Sequence, residues 1–157
     1  MDTATRQEAT RILDAGAAEI FAVLCDPAGH VEIDSSGMLQ DFTGGPVSAV
    51  GDSFVVHMDR EALGDLPMGR YDVTVTIETF EPDAEISWSI LGTVRPGIGH
   101  RYGYTLSDTD GGTLVTSFCD WSNARSDMVA IFPVVPQSAL RATLGILDRV
   151  VRARRIR

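Results

Sequence analysis

From Arg70 to Phe80 the chain alternates without a break, with Tyr71, Val73, Val75 and Ile77 on one side and Asp72, Thr74, Thr76 and Glu78 on the other. A period of two with one apolar and one polar side marks a strand in an antiparallel sheet, one face wet and the other covered. The next apolar run, Glu85 to Leu91, repeats the pattern with Ile86, Trp88 and Ile90 on the dry side. Gln7–Leu13, Leu39–Phe42, Ser53–Asp59, Gly99–Leu106 and Thr113–Trp121 also read as strands. The link at Pro82 to Ala84 and the link through Gly111-Gly112 are short and turn-forming, so neighbouring strands form hairpins and the sheet is a meander.

Two short helices are expected after the first strand. Ala17 to Leu24 carries a helical stripe in Ile20, Val23 and Leu24. Asp26-Pro27 ends that helix and starts another over PAGHVEID, since Asp caps and Pro suits a first turn. Pro136 is placed to begin a long closing helix in which Leu140, Leu144, Leu147 and Val151 form one apolar stripe. At 157 residues and 44% hydrophobic the chain is expected to be a single domain with a true core. The fold class is α+β: a twisted antiparallel sheet whose longest cover is the last helix, with a pocket wherever the two fail to touch.

Composition removes several functions. A net charge of -9 repels phosphate backbones and anionic membranes, so nucleic acid is not expected as a partner. The tail RVVRARRIR holds five of the thirteen arginines and reads as a solvated helix end, where cations suit the helix dipole. There is no lysine, which excludes Schiff-base chemistry on a side chain. Cys25 and Cys119 are too few and too far apart for a disulfide framework or a zinc site and read as buried thiols. Three dispersed histidines suggest no metal, and no phosphate-cradling or nucleophile-elbow motif calls for a cofactor. The polar opening MDTATRQEAT and the short apolar stretch MVAIFPVVP imply no membrane insertion and a cytoplasmic location.

The order of elements, together with AAEIFAVLCDPAGHVEIDSSG, VGDSF at 50–54, FEP at 80–82, SW at 87–88, DGGTLVTSFCDWS at 110–122 and SDMVAIFPVV, resembles the SRPBCC superfamily. That group joins START lipid-transfer domains, pollen-allergen-like proteins and polyketide cyclases/dehydrases. The resemblance covers essentially the whole chain. It implies a helix-grip fold with a deep cavity between the curved sheet and the C-terminal helix, holding a lipid, polyketide or other hydrophobic molecule. Some members are enzymes and many are carriers or sensors.

HRYGYTL, residues 100–106, puts His100, Tyr102, Tyr104 and Leu106 on one side of a strand. If that side faces inward, three polar tips enter an apolar interior, at about 1–3 kcal/mol for each one left unpaired. They line a cavity, or the tyrosines bury their rings and satisfy their hydroxyls on nearby backbone. The expected ligand-binding wall consists of Tyr71, Val73, Val75, Trp88, His100, Tyr102 and Tyr104, with Leu140 and Leu144 from the last helix; in the last strand neither row is clearly drier, and it is the resemblance that implies Val115, Ser117 and Trp121 face inward with them. His30 and Asp34 are neighbours at a spacing of four on the second helix, where a carboxylate would orient an imidazole. His57 and Asp120 are expected to face outward. The first functional expectation is binding of a hydrophobic or aromatic small molecule without a cofactor. The alternative is a polyketide cyclase/dehydrase-type enzyme with His30 or His100 as base and a tyrosine hydroxyl, Tyr104, polarising a carbonyl. A third is a protein-interaction or chaperone-like module. Monomer and homodimer are both open.

Overall fold

The computed structural model describes residues 4–156, so Arg157 of the basic tail lies outside the described residues. Seven strands form one antiparallel sheet: β1 (Arg6–Leu13), β2 (Leu39–Thr43), β3 (Ser53–Asp59), β4 (Arg70–Glu81), β5 (Glu85–Leu91), β6 (Arg101–Thr109) and β7 (Gly112–Asp120). Their spatial order is β1-β7-β6-β5-β4-β3-β2. Consecutive strands from β2 to β7 are neighbours, as the hairpin turns require, and β1 closes against β7. The connection from β1 to β2 therefore runs from one edge of the sheet to the other. It is made by α1 (Ala17–Cys25) and α2 (Pro27–Ile33), and α3 (Gln137–Arg155) lies beside them.

The inward row of β4 is Val73, Val75 and Ile77, all buried, as the alternation demands. Residues of β5, β6 and β7 follow the same parity, with Ile86, Trp88, Tyr104, Leu106, Val115 and Ser117 buried. Phe118 belongs to the opposite row of β7 and is buried nonetheless. Its ring lies across Gly103 on the adjacent strand, where a Cβ would fall 2.5 Å from the ring, and the Arg6 guanidinium covers it at 3.8 Å.

The helices are fixed by short-range chemistry. Asp26 accepts a hydrogen bond from the Ala28 amide at 3.0 Å and Pro27 occupies the first turn, so a single residue, Asp26, separates α1 from α2. So tight a turn needs close contact, and Gly29 supplies it: a side chain there would overlap the carbonyl of Val23. On α3, Leu144, Leu147 and Val151 are fully buried, and Asp148 reaches across to Arg11 of β1 at 2.9 Å. The basic end of α3 is less solvated than its composition suggests. Arg154 contacts Asp26 at 3.1 Å and Glu32 at 3.0 Å, and Arg155 contacts Glu19 at 2.6 Å, so the tail ties α3 to both short helices. Asp120, expected in solvent, is half-buried because Arg101 and Ser122 hold its carboxylate. His57 does face outward, between Thr43 at 2.7 Å and Asp72 at 2.8 Å. Both cysteines are free and buried. No described helix is long and apolar enough to cross a membrane.

Candidate functional site: a cavity under the first half of the last helix

The two halves of α3 meet the sheet differently. Leu144, Leu147 and Val151 are packed solid, whereas residues 137–143 stand off and leave a cavity of about 790 Å³. Val56, Met58, Tyr71, Val73 and Val75 make its floor, with Trp88 and Ile90 beside them. Tyr102, Tyr104 and Ser117 form a side wall, and Ala139, Leu140 and Thr143 of α3 the roof. The mouth is ringed by Leu63, Leu66, Val94 and Val134, all exposed apolar side chains. These rim residues come from three loops, where no periodicity marks them in the sequence; only their apolar character inside turn-rich segments could have flagged them.

His30 lies in the cavity wall, and it is buried (8% exposed) where the sequence suggests a helix surface. The tight α1–α2 turn brings its ring back under α1, where Nε2 donates to the carbonyl of Leu24 at 2.7 Å. That carbonyl belongs to the last turn of α1, which has no partner within the helix. The bond fixes the tautomer: Nε2 carries the proton and Nδ1 is left as an acceptor. Trp88 and Phe54 pack on the ring at centroid distances of 4.7 and 5.0 Å. Burial lowers the pKa of His30, and the Leu24 bond and the charge of Asp26 pull weakly the other way. The expected His30–Asp34 pair does not form. Asp34 is taken up by the turn that follows α2, accepting from the Ser36 hydroxyl at 2.6 Å, the Ser36 amide at 2.9 Å and the Leu39 amide at 3.1 Å. A short acidic side chain followed by Ser-Ser-Gly caps local backbone in preference to reaching along the helix.

His100 sits just before β6, also in the cavity wall, and is 4% exposed. Gly99 places it: φ is +97° and a Cβ would lie 2.6 Å from the carbonyl of Asn123, so only glycine lets this loop close against the turn after β7. The His100 ring lies edge-on to Tyr102 and tilted on Phe132, at 5.3 and 5.0 Å. Its Nδ1 is buried without a hydrogen-bond partner among the described residues. Burial lowers its pKa. Tyr102 and Tyr104 shift upward for the same reason, Tyr104 to about 12, although the neighbouring Ser117 hydroxyl works against the shift. At neutral pH the interior therefore holds two uncharged imidazoles and two uncharged phenols.

The two charged side chains of the lining are already engaged. Asp34 is spent on its turn, and Arg60 grips Asp65 through two bonds of 3.0 and 2.9 Å. No group of three or more metal-ligating side chains occurs among the described residues. Three residues expected on the wall lie elsewhere. Val115 and Leu144 are sealed in the core where α3 meets the sheet, and Trp121 stacks flat on the back of Phe132 (5.4 Å, 11°), so that Phe132 and not Trp121 faces the cavity.

The neutral histidines carry a stability consequence. Between the ordinary imidazole pKa of about 6.5 and the lowered folded values, the unfolded chain binds more protons than the folded one. Stability is therefore fully present above pH 6.5 and falls as the solution is acidified, by up to about 1.4 kcal/mol per pH unit for each histidine. Urea denaturation at pH 7.5 and 5.5 checks this, and His30→Phe is expected to flatten the slope. A curve already flat in the wild type would contradict the buried, neutral assignment.

Among solved structures, the chain is similar to a protein from Rhodobacter sphaeroides at 18% identity and a TM-score of 0.69, over 96% of this chain and 94% of that one. An AHSA1-like protein from Aeromonas hydrophila matches at 16% identity and 0.62, over 97% and 95%. The chain has the helix-grip fold. A third helix-grip neighbour is DynU16, a protein of the dynemicin biosynthetic locus, at 17% identity and a TM-score of 0.60; the match covers 96% of this chain and 48% of DynU16. No protein-family model matches the sequence, and no curated protein matches it.

Proposed function

We propose that this helix-grip domain belongs to the SRPBCC superfamily and binds an uncharged, predominantly apolar small molecule in the cavity beneath residues 137–143 of α3. The observation that carries this is the cavity itself: about 790 Å³, walled by aliphatic and aromatic side chains, with a few convergent polar groups and no free charge. A hollow of this size is not a packing defect, since interiors close to crystal-like density and unfilled space costs stability. The fold likeness to DynU16 and to AHSA1-like proteins supports a ligand-binding scaffold without naming the ligand. Native mass spectrometry of gently purified protein is expected to show a copurified molecule of a few hundred daltons. A protein that elutes empty, and shows no thermal shift with naphthalene-class or fatty-acyl probes, would overturn the reading.

A second reading, a cyclase/dehydrase-type enzyme, is favoured by one observation: His30 and His100 are both buried in the wall, where desolvation lowers their pKa and favours the neutral form a general base requires. In that case His30 Nδ1, whose tautomer Leu24 fixes, accepts the proton, and the Tyr104 hydroxyl polarises a carbonyl. Turnover is then expected to fall by about a hundredfold in His30→Phe or His100→Phe. Turnover that survives both changes together would remove the histidines from the chemistry, whereas a pure carrier changes only in affinity.

A further inference from the structure

Of the polar groups in the wall, Tyr104 is beside Ser117, and His30 has Nε2 on Leu24, Asp34 its turn and Arg60 its carboxylate. His100 is different. It is buried to 4% exposure with Nδ1 unpartnered among the described residues, its ring packs on Tyr102 and Phe132, and it lines the cavity. Nδ1 is sealed by the surrounding protein, so the nitrogen that a bound molecule can reach is Nε2, which also makes no hydrogen bond among the described residues, and a ligand group there compensates a polar side chain otherwise left unsatisfied.

We propose that the ligand is an uncharged, flat aromatic molecule bearing a hydroxyl group, and that His100 is the residue that recognises the hydroxyl. This rests on the small-molecule reading of the cavity and deepens it. The chemistry follows from the imidazole. A neutral ring offers one N–H and one lone pair, and a hydroxyl can answer either of them, whereas an ether or a carbonyl answers only the N–H. A carboxylate or phosphate would need a free cation, and the one guanidinium of the wall is committed to Asp65. An ammonium would need a free carboxylate, and Asp34 is committed to backbone. Flatness follows from the aromatic lining, since Trp88, Tyr102 and Phe132 all border the same space.

The test uses three probes of nearly equal size, 2-naphthol, 2-methoxynaphthalene and naphthalene, titrated against the full chain by tryptophan fluorescence and calorimetry. The hydroxyl compound is expected to bind about tenfold more tightly than either of the others. In His100→Phe, which keeps an aromatic ring at the site, that preference is expected to vanish, so that 2-naphthol and naphthalene bind the variant within about twofold of one another. Histidine ¹⁵N shifts provide a readout that needs no variant: those of His100 are expected to move on adding 2-naphthol and not on adding naphthalene. Equal binding of the alcohol and the ether, a preference that persists in His100→Phe, or unmoved His100 shifts would overturn the assignment. Binding of none of the three would count against the small-molecule reading itself.

Discussion

Gly29→Ala is expected to destabilise the protein by about 3 kcal/mol or more, at or beyond the top of the usual range for overpacking. The new methyl would overlap the Val23 carbonyl and lie 2.9 Å from its side chain, and backbone cannot swing aside as a flexible side chain would. The Asp26 cap and Pro27 fix the turn between the helices, so relief requires α1 and α2 to separate. That separation also breaks the bond from His30 to Leu24, and the loss reaches the cavity wall. For a chain of this length the melting temperature should fall by about 6–12 °C. Gly145→Ala is the control: it lies in mid-α3 with its nearest neighbour, Arg11, 3.9 Å from the added carbon, and should gain about 0.4–1 kcal/mol from helix propensity and reduced unfolded-state freedom. If Gly29→Ala melts with the wild type, the tight packing of the two short helices is wrong.

Periodicity carries the architecture because it reports which side of an element is covered. The alternation of Tyr71 to Ile77 and the stripe of Leu140 to Val151 both translate directly into the faces that meet. Periodicity does not report how far apart those faces stand. Val115 and Leu144 have the parity of cavity residues and yet lie in solid core, because α3 touches the sheet there and lifts away only over its first half. The distinction is one of tilt between a helix and a twisted sheet, which is set by all the packed side chains at once and leaves no mark at any single position. Trp121 shows the same limit from another side: Phe132, from a loop without regular spacing, slides between it and the cavity. The His30–Asp34 pairing failed for a local reason. Spacing made them neighbours, but the Ser36 and Leu39 amides competed for the carboxylate and were closer at hand.

The step from a hollow to a binding site is tested most sharply by filling it. Ala139 lies on the roof of the cavity, on the part of α3 that stands away from the sheet, so Ala139→Trp would push an indole into the space a ligand needs. The binding reading then makes two demands at once. Affinity for 2-naphthol should fall by about a hundredfold, equivalent to about 2.7 kcal/mol. Stability should hold or rise, because the indole buries apolar surface where the wild type has none to bury, at about 25 cal/mol per Å². The opposite pairing, in which the protein is destabilised and the ligand is retained, would mean that α3 already rests on the sheet over residues 137–143 and that the probe binds elsewhere. Arg141→Trp, on the exposed side of the same turn, separates the filling effect from the mere presence of a tryptophan and should leave affinity unchanged. Affinity and stability thus move in opposite directions only if the gap between helix and sheet is the place where the molecule sits.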